Sequence, residues 1–213
     1  MELTLTAKDI YKAFNRNAVL NRINFNVSGR EGLIITGPNG SGKSTLLKIL
    51  CNLLKPSSGE IVFSIQNKPI SMDKVRINIG LVAPDINLYE EMSAVENIIF
   101  FSRLKGMNNA ELNFHTLFSE HGLSGRGEEL VKTFSSGMKQ RLKYIIATLN
   151  NPPFLFLDEP TANLDQNGKE MVKKVCENQK SNGVLVIATN EQEDFQYGTK
   201  IVRLDGDGIG NPA

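Results

Sequence analysis

Residue types and spacing that are typical of phosphate binding occur in one run, Gly37-Pro38-Asn39-Gly40-Ser41-Gly42-Lys43-Ser44-Thr45. The run fits G-x-x-x-x-G-K-[ST], the P-loop or Walker A pattern, whose glycines let consecutive backbone N–H groups point at an anion. In that pattern Lys43 reaches the β- and γ-phosphates and Ser44 places its hydroxyl on Mg²⁺. A chance glycine-rich turn is the alternative. We predict that nucleotide phosphates bind at Gly37, Asn39, Gly40, Ser41, Gly42, Lys43, Ser44 and Thr45.

Two adjacent carboxylates, Asp158 and Glu159, directly follow the apolar run Phe154–Leu157. Such a run is typical of a parallel strand buried on both faces, and ligands bind at the carboxyl edge of parallel sheets. Downstream of a P-loop this is the Walker B arrangement, in which Asp158 holds Mg²⁺ through water and Glu159 polarises the attacking water. A solvated acidic turn is the alternative interpretation.

Two further stretches each allow two interpretations. Ser135, Ser136 and Gly137 precede apolar residues at helical spacing, so the serines are good N-caps and the stretch by itself predicts only a well-capped helix. Tyr11 and Phe14 lie in a predicted loop upstream of the P-loop, where an aromatic ring either stacks on a purine or packs against its neighbours.

The order of the predicted elements supplies a scaffold for these residues. Short apolar strands alternate with helices, which favours an α/β fold with a mostly parallel sheet. We predict one domain over residues 1–213, with a P-loop NTPase core that includes antiparallel N-terminal strands (1–83 and 150–205). A helical insert over about 84–149 carries the serine-rich stretch, and residues 206–213 form a flexible tail.

The individual elements are predicted from hydrophobic period and from helix-capping residues. Strands are predicted at 3–7, 23–27, 32–36, 61–65, 77–82, 154–157, 184–188 and 200–204. Helices are predicted from Lys43, behind a Ser93–Glu96 capping box, over 111–118, and near Ser135 and Asp165. Loops or turns are predicted at 10–15 and 54–60, and both histidines, His115 and His121, are expected on helix surfaces.

Composition narrows the class of protein. The 213 residues carry a formal net charge of +1, so neither a polycationic face nor a nucleic-acid partner is expected. The two cysteines, Cys51 and Cys176, are expected to be reduced core residues of a cytosolic protein. The first ten residues do not resemble a signal peptide, and no apolar run approaches about 20 residues, so no membrane span is expected.

The motifs and their order resemble the ATP-binding subunit of ABC transporters over nearly the whole chain. The family signature matches Phe134–Met138, the D-loop matches Ala162–Asp165, and the A-loop matches Lys12–Asn15, which selects Phe14 as the adenine-stacking ring. The resemblance implies an ATPase that binds ATP and Mg²⁺ and pairs head to tail with a second ATP-binding subunit. The P-loop of one subunit would then face the signature of the second subunit. In this chain the signature residues are Ser135, Ser136 and Gly137, and the D-loop contributes Asp165.

Two positions depart from the family pattern. Asn190 follows Thr189 where the family has a switch histidine, and Pro84 lies where the Q-loop has a glutamine that Asp85 or Asn87 would have to replace in part. An asparagine hydrogen-bonds a phosphate oxygen but carries no proton or charge. We therefore expect a slow but working ATPase, with Glu159 and Asn190 as catalytic residues.

The resemblance also implies a transmembrane permease partner, docked near residues 84–92, and a cytoplasmic location on the inner face of the membrane. Residues 82–91 and 188–190 are similar to exporter-type subunits, including those of cytochrome c maturation that resemble a haem exporter. Two alternatives remain. One is a soluble ABC-type ATPase, and the other is a nucleotide-gated regulatory subunit without useful turnover.

Overall fold

The computed structural model of the chain describes residues 2–205 and 210–212. Its strands are β1 (Leu3–Phe14), β2 (Asn17–Ser28), β3 (Gly32–Thr36), β4 (Ser58–Ile65), β5 (Lys68–Ile70), β6 (Ile79–Val82), β7 (Phe154–Asp158), β8 (Val184–Ala188), β9 (Lys200–Leu204) and β10 (Gly210–Pro212). Its α-helices are α1 (Lys43–Leu50), α2 (Met72–Val75), α3 (Ala94–Leu104), α4 (Phe114–Glu120), α5 (Ser136–Thr148) and α6 (Gln166–Asn182).

The strands form two sheets of opposite character. The first sheet is antiparallel, in the order β2-β1-β4-β5, and the second has the order β10-β9-β3-β8-β7-β6. Every pairing in the second sheet is parallel except that of β10 with β9. The predicted α/β fold, with a mostly parallel sheet and antiparallel N-terminal strands, is therefore confirmed.

Alternation along the parallel strands builds two apolar cores, one on each face of the sheet. Phe154 and Phe156 of β7 pack into the core shared with α1 and the antiparallel sheet, whereas Leu155 and Leu157 face the core shared with α6. Successive side chains of a strand point to opposite faces, so a fully apolar strand buries both. Cys51 and Cys176 are buried in these cores as free thiols, as predicted. A third core lies within the helical insert.

The register of the parallel strands gathers several loops at one sheet edge. Ile35 of β3 pairs with Ala188 of β8, and Ala188 also pairs with Asp158 of β7. The chain therefore leaves these three neighbouring strands at the same level. The P-loop after β3, the acidic pair at the end of β7, and Thr189 with Asn190 after β8 consequently lie side by side.

The predicted loop at 10–15 and the predicted turn at 54–60 are wrong in part, because both contain strand residues. β1 continues to Phe14, since Ile10 pairs with Ile23 and Phe14 with Asn17 across irregular register shifts. β4 starts at Ser58, which pairs with Tyr11 of β1. Pairing between distant strands thus extends both elements beyond their apolar runs, because the polar residues gain backbone partners.

Three predictions at the boundaries of the helical insert are also corrected. The strand expected at 77–82 begins at Ile79 after a 3₁₀ turn. The helix expected at 111–118 is α4, which begins at Phe114. It is capped by the Asn113 side chain, which accepts a hydrogen bond from Thr116 N at 3.1 Å. His121, expected on a helix surface, is only 7% exposed. Burial lowers the pKa of its imidazole, which favours the neutral ring.

The tail predicted as flexible over 206–213 remains a prediction for residues 206–209 and 213, which lie outside the described residues. Residues 210–212 form β10 beside β9. The division into a core and an insert is likewise an interpretation of the architecture, although α3, α4 and α5 share the third core as that interpretation requires.

The capping box at the start of α3 gives a stability prediction. Ser93 Oγ accepts a hydrogen bond from Glu96 N at 3.1 Å, and Glu96 Oε2 accepts one from Ser93 N at 2.7 Å. We expect Ser93→Ala to lower the free energy of unfolding by about 1 kcal/mol in urea titrations, because it removes an N-cap. Ser119→Ala is the control, since that hydroxyl only donates to Thr116 O within α4. Equal losses for both variants would contradict the assignment.

Candidate functional site

The P-loop adopts a backbone that only glycine tolerates at two of its positions. Gly37 has φ 152°, and a Cβ there would lie 2.2 Å from Leu204 O. Gly42 has φ 101°, and its Cβ would lie 3.0 Å from Val19 O. Gly42 is also the N-cap of α1 and offers no side-chain acceptor. The first N–H groups of α1 are therefore left for an anion at the positive end of the helix.

The side chains of Lys43 and Ser41 in the P-loop are buried. Lys43 is 7% exposed, and its Nζ donates to Gly37 O at 2.8 Å and to Pro38 O at 3.4 Å. Ser41 is 4% exposed, and its Oγ has no hydrogen-bond partner. A buried ammonium held only by carbonyl oxygens is ready to bind a phosphate, because a charged oxygen is the stronger acceptor.

Asp158 is the buried carboxylate of the site. It is 4% exposed, and its Oδ1 is buried without a hydrogen-bond partner. Burial raises the pKa of this carboxyl, and a hydrogen bond with Ser44 offsets part of that rise. Leaving a buried carboxylate oxygen unpaired is costly, so this oxygen is suited to bind a cation.

The donor set around Asp158 suits a small hard cation. Within residues 2–205, no three His, Cys, Asp or Glu side chains cluster closely enough to form an all-protein metal cage. Ser44 and Asp158 together provide one hydroxyl and one carboxylate. Mg²⁺ is usually bound by one or two carboxylates, retained waters and substrate phosphates, so these two residues fit it.

Glu159 has a strained backbone at the start of a turn. Its φ is 48°, in the left-handed region, and its N–H donates to Ala188 O at 2.9 Å. Burial raises the pKa of its carboxyl, partly offset by the nearby Lys43 ammonium. The side chain lines a cleft of about 410 Å³ together with Pro84 and Ser136. Strain of this kind is retained where it positions a functional group.

Asn190 contacts the P-loop directly. Its Oδ1 accepts hydrogen bonds from Thr36 Oγ1 and Gly37 N, both at 3.3 Å, and its Nδ2 donates to Asn39 Oδ1 at 3.4 Å. The preceding Thr189 is buried, and its hydroxyl donates to Asp194 Oδ2 at 2.7 Å. The hydrogen bond between Thr189 and Asp194 holds the turn that presents Asn190 to the P-loop.

The signature and D-loop residues share a separate cavity. Ser135 is the N-cap of α5, and its Oγ accepts a hydrogen bond from Met138 N at 3.2 Å. Ser135, Ser136 and Gly137 line a cavity of about 470 Å³ with Asp165, and Ser136 also borders the cleft at Glu159. Ser135 and Gly137 therefore do not line the cleft that contains Glu159 in a single chain.

Phe14 lies at the end of the hairpin formed by β1 and β2. Its ring is 44% exposed, and the Lys12 Nζ lies 4.8 Å from the ring centroid. The same hairpin reaches the P-loop through Val19, which contacts Gly42. An exposed aromatic ring on this hairpin is consistent with the predicted stacking position, although Lys12 covers part of one face.

Contacts of three charged side chains around these loops were not predicted from the sequence: one ammonium bonds to carbonyl oxygens, and two cations form ion pairs. Lys143 of α5 donates to Ala83 O at 3.0 Å and to Pro84 O at 3.1 Å, which ties the segment after β6 to the signature helix. Asp85, a candidate substitute for the Q-loop glutamine, forms a 2.5 Å ion pair with Lys48 of α1. Arg141 pairs with Asp165. These partners are distant in sequence, so residue spacing carries no signal for them.

An exposed apolar patch covers one side of α3 and the segment before it. Leu104 is 64% exposed and Tyr89 is 50% exposed. Met92, Ile99 and Phe100 line a shallow depression with Leu104. Within the part of the chain that the structure describes, no helix combines the length and the apolar character needed to cross a bilayer.

Comparison with known protein sequences identifies the family. Residues 20–162 match the family described as "ABC transporter". The lantibiotic transport ATP-binding protein SrtF of Streptococcus pyogenes is 33% identical over 186 residues, covering 87% of this chain and 79% of SrtF. HrtA of Staphylococcus saprophyticus, which carries a provisional name as a hemin import ATP-binding protein, is 34% identical and covers 97% of this chain and 98% of its own length.

Solved structures agree with the sequence matches. The dimeric structure of MJ0796, a bacterial ABC transporter cassette, superposes with a TM-score of 0.85 at 27% identity and covers 97% of this chain and 96% of its own. A post-hydrolysis dimer of the same cassette, bound to ADP and Pi, has the same TM-score and identity and covers 98% of this chain and 97% of its own. Together with the family match, these comparisons show that the chain belongs to the ABC transporter family, as an ATP-binding subunit and ATPase.

Proposed function

We propose that this subunit binds ATP with Mg²⁺ at its P-loop, hydrolyses the nucleotide slowly, and drives a transmembrane permease through head-to-tail pairing with a second ATP-binding subunit. The observation that carries this proposal is the partnerless Asp158 Oδ1, buried beside Ser44 at the sheet edge where the P-loop begins. A buried carboxylate oxygen without a hydrogen-bond partner is otherwise difficult to explain.

Nucleotide binding is assigned to the loop and the hairpin end. Within the P-loop at 37–45, the first N–H groups of α1 and the Lys43 ammonium are assigned to the phosphates, and the exposed face of Phe14 is assigned to the adenine. Ser44 and Asp158 would hold Mg²⁺, Asp158 through water. When bound, the ion supplies positive charge that neutralises the β- and γ-phosphate oxygens.

Hydrolysis is assigned to Glu159 as the group that accepts a hydrogen bond from the attacking water. The water oxygen forms a bond to the γ-phosphorus while the bond from that phosphorus to the bridging oxygen breaks, giving ADP and phosphate. Burial keeps the Glu159 carboxylate poorly solvated, which strengthens its hold on the water proton. Its left-handed backbone directs the side chain into the cleft.

Asn190 is assigned the position of the switch histidine. Its amide already bridges Gly37 and Asn39, so it lies where a γ-phosphate oxygen would be held. The amide supplies a hydrogen bond but no positive charge, whereas a histidine can supply both. A reduced stabilisation of the transition state follows, and this is why we propose slow turnover.

Pairing of two subunits is supported by the separate cavity at the signature. Ser135, Ser136 and Gly137 begin α5, whose N-terminal N–H groups form a second anion site. This site does not share a cleft with the P-loop of the same chain. A second copy, or a related ATP-binding subunit, would bring its bound nucleotide to these residues, as the dimeric organisation of the MJ0796 cassettes suggests.

The permease is proposed to dock on the apolar patch of α3 and the adjacent groove at residues 84–92. The subunit would then lie at the cytoplasmic face of the membrane through this partner. An exposed apolar patch of this kind marks an interaction surface. Export is our proposed direction. The relatives are named for lantibiotic transport and for hemin import, so haem remains one candidate cargo among several.

Two other functions are tested by the same experiments. A soluble ABC-type ATPase would not retain a membrane protein, and a formal net charge of +1 gives no support to a nucleic-acid partner. A nucleotide-gated regulatory subunit would pair on binding ATP without releasing phosphate. The altered Asn190 and Pro84 positions make this second alternative worth measuring.

The role of Glu159 gives the first prediction. We expect Glu159→Gln to lower the steady-state rate of phosphate release by at least about 100-fold, because general bases contribute about 10²–10⁴-fold, while ATP binding is retained. Glu193→Gln is the control, since Glu193 is exposed and forms only a 3.8 Å pair with Lys169. If wild type and Glu159→Gln release phosphate equally, the assignment of Glu159 is wrong.

The role of Asn190 gives the second prediction. Asn190→Ala should lower turnover about tenfold, which corresponds to losing a hydrogen bond worth about 1.4 kcal/mol, and Asn190→His should raise turnover above wild type. Single-turnover phosphate release and nucleotide affinity should be measured together, so that hydrolysis and binding are separated. Asn182→Ala is the control, because that side chain bonds only within α6. An unchanged or lower rate in Asn190→His would contradict the proposed cause of slow turnover.

The docking surface gives the third prediction. We expect Leu104→Glu to abolish co-purification of a multi-span membrane protein from detergent extracts, because a carboxylate cannot be buried cheaply in an apolar interface. Leu53→Glu is matched to it, since Leu53 is similarly exposed, 55% against 64%, but lies after α1. Retention of the membrane protein by Leu104→Glu would reject this surface, and its absence from wild type would favour a soluble ATPase.

A further inference from the structure

We infer that Arg141 is a positioning residue that fixes the signature end of α5 against the D-loop of its own subunit, so that the signature reaches the partner's nucleotide. The inference rests on the proposed function, because it takes the signature residues to meet a nucleotide bound by a second subunit. It concerns an arginine that sequence reasoning left without a role.

Arg141 joins three segments from a nearly buried position. The residue is 9% exposed, its Nη2 lies 2.5 Å from Asp165 Oδ1, and its Nη1 donates to His121 O at 3.1 Å. One guanidinium therefore links α5 to the residue that ends α4 and to the residue that precedes α6. A planar guanidinium with several fixed donors suits such a junction better than a flexible ammonium does.

The backbone at Gly122 leaves space for the Arg141 side chain but not for a side chain of its own. Gly122 has φ 67°, and a Cβ at Gly122 would lie 2.6 Å from Arg141 Nη1. The glycine therefore stops α4 and at the same time allows the guanidinium to reach the carbonyl of His121. Gly122, which resembles an ordinary helix-ending glycine, is therefore also needed for the hydrogen bond between Arg141 and His121.

The mostly exposed Asp165 side chain also bonds to the start of α6. Its Oδ1 also accepts a hydrogen bond from Gly168 N at 2.8 Å, which caps α6. α6 packs on the parallel sheet through Met171, Val172 and Cys176. The carboxylate is thus fixed relative to the sheet. The bond of Arg141 to this carboxylate in turn fixes α5 relative to the sheet.

The start of α5 lies directly against the D-loop. A Cβ at Gly137 would be 3.0 Å from Asn163 O, so the signature backbone and the D-loop backbone are in contact. Farther along α5, the Tyr144 hydroxyl donates to Pro160 O at 2.8 Å. Arg141 lies between these two points, one turn after the signature. Removing it would leave the signature end of the helix with fewer restraints than the buried end.

A small displacement of that end has a large effect on a shared site. A misplacement of about 1 Å can cost about a hundredfold where geometry must be exact, and Ser135 and Gly137 would have to meet a phosphate across an interface. The P-loop of the same subunit is not part of this junction. Loss of Arg141 should therefore weaken pairing and leave nucleotide binding to the single subunit intact.

The test uses the full chain in a Glu159→Gln background, which retains ATP. We expect Arg141→Met to raise the ATP concentration for half-maximal dimer formation, measured by analytical ultracentrifugation, by about tenfold to a hundredfold. Binding of a fluorescent ATP analogue to dilute monomer should not change. Arg126→Met is the matched control, because it removes another arginine–carboxylate pair of the same insert, Arg126 with Glu129 at 2.8 Å.

Two conservative variants separate positioning from general stability. Arg141→Lys keeps a cation for Asp165 but loses the fixed fork, and Asp165→Asn keeps an acceptor for Gly168 N but loses the charge. Both should give dimerisation intermediate between the parent and Arg141→Met, at a temperature where all the variants are folded. If Arg141→Met itself does not fold, the comparison of the parent with Arg141→Lys still tests the inference. Arg141→Lys must then need a higher ATP concentration than the parent for half-maximal dimer formation.

The outcomes distinguish this inference from the function on which it rests. Dimer formation by the parent and by Arg141→Met or Arg141→Lys at the same ATP concentration would overturn the role of Arg141 alone. Equal weakening of monomeric nucleotide binding would also overturn it, because the effect would not be specific to pairing. Failure of the parent to dimerise with ATP would overturn the proposed pairing and this inference with it.

Discussion

The register of three neighbouring parallel strands is the constraint on which the rest of the molecule depends. Ile35, Ala188 and Asp158 lie in one row across β3, β8 and β7. These strands are buried on both faces, so a shift by one residue would turn core side chains to the wrong face at once. The register of the apolar strands β7 and β8 therefore fixes more than stability. It sets which atoms of three separate loops meet at the sheet edge.

Buried charged groups with few hydrogen-bond partners lie at that edge of the sheet. Lys43 is enclosed and bound only to carbonyl oxygens, and Asp158 has a buried oxygen without a partner. Burial raises the pKa of both Asp158 and Glu159, while Lys43 acts in the opposite direction on each. Charges of both signs are thus kept poorly solvated a short distance apart. A phosphate with its cation would satisfy them together, which connects the cost of burial to the binding of a nucleotide.

Helix α5 joins that edge to the two surfaces that other subunits are proposed to use. Its N-terminus presents the signature, Arg141 binds the D-loop, Lys143 holds the segment that follows β6, and Tyr144 bonds to the turn after Glu159. The signature and these three contacts lie within about two and a half turns of one helix. A movement of the segment at 84–92 would consequently reach the signature through a rigid element. The helix also contributes to the insert core, which keeps it from moving independently of α3 and α4.

Local chemistry made the P-loop, the acidic pair, the capping box and the order of strands and helices predictable. Each depends on a short run of residues, such as the glycines at 37–42 or the continuous apolar run that precedes Asp158, and each was located by its own sequence. The α/β fold and the family followed from their order. The strand boundaries at Phe14 and Ser58 did not follow, because distant pairing extended both strands over polar residues.

Tertiary structure alone decided the contacts that link these motifs. Asn190 bonds to Gly37 and Asn39, and Arg141 bonds to His121 and Asp165. These partners are 20 to 153 positions apart in the sequence. The burial of His121 depends on contacts of the same kind. Spacing in the sequence does not encode where a chain folds back on itself, and polar residues on a helix look alike before their partners are known. The sequence therefore determined which chemistry this protein carries. The packing of α5 and α6 on the sheet, and of α4 with α5 in the insert core, determined how the parts of that chemistry are held together.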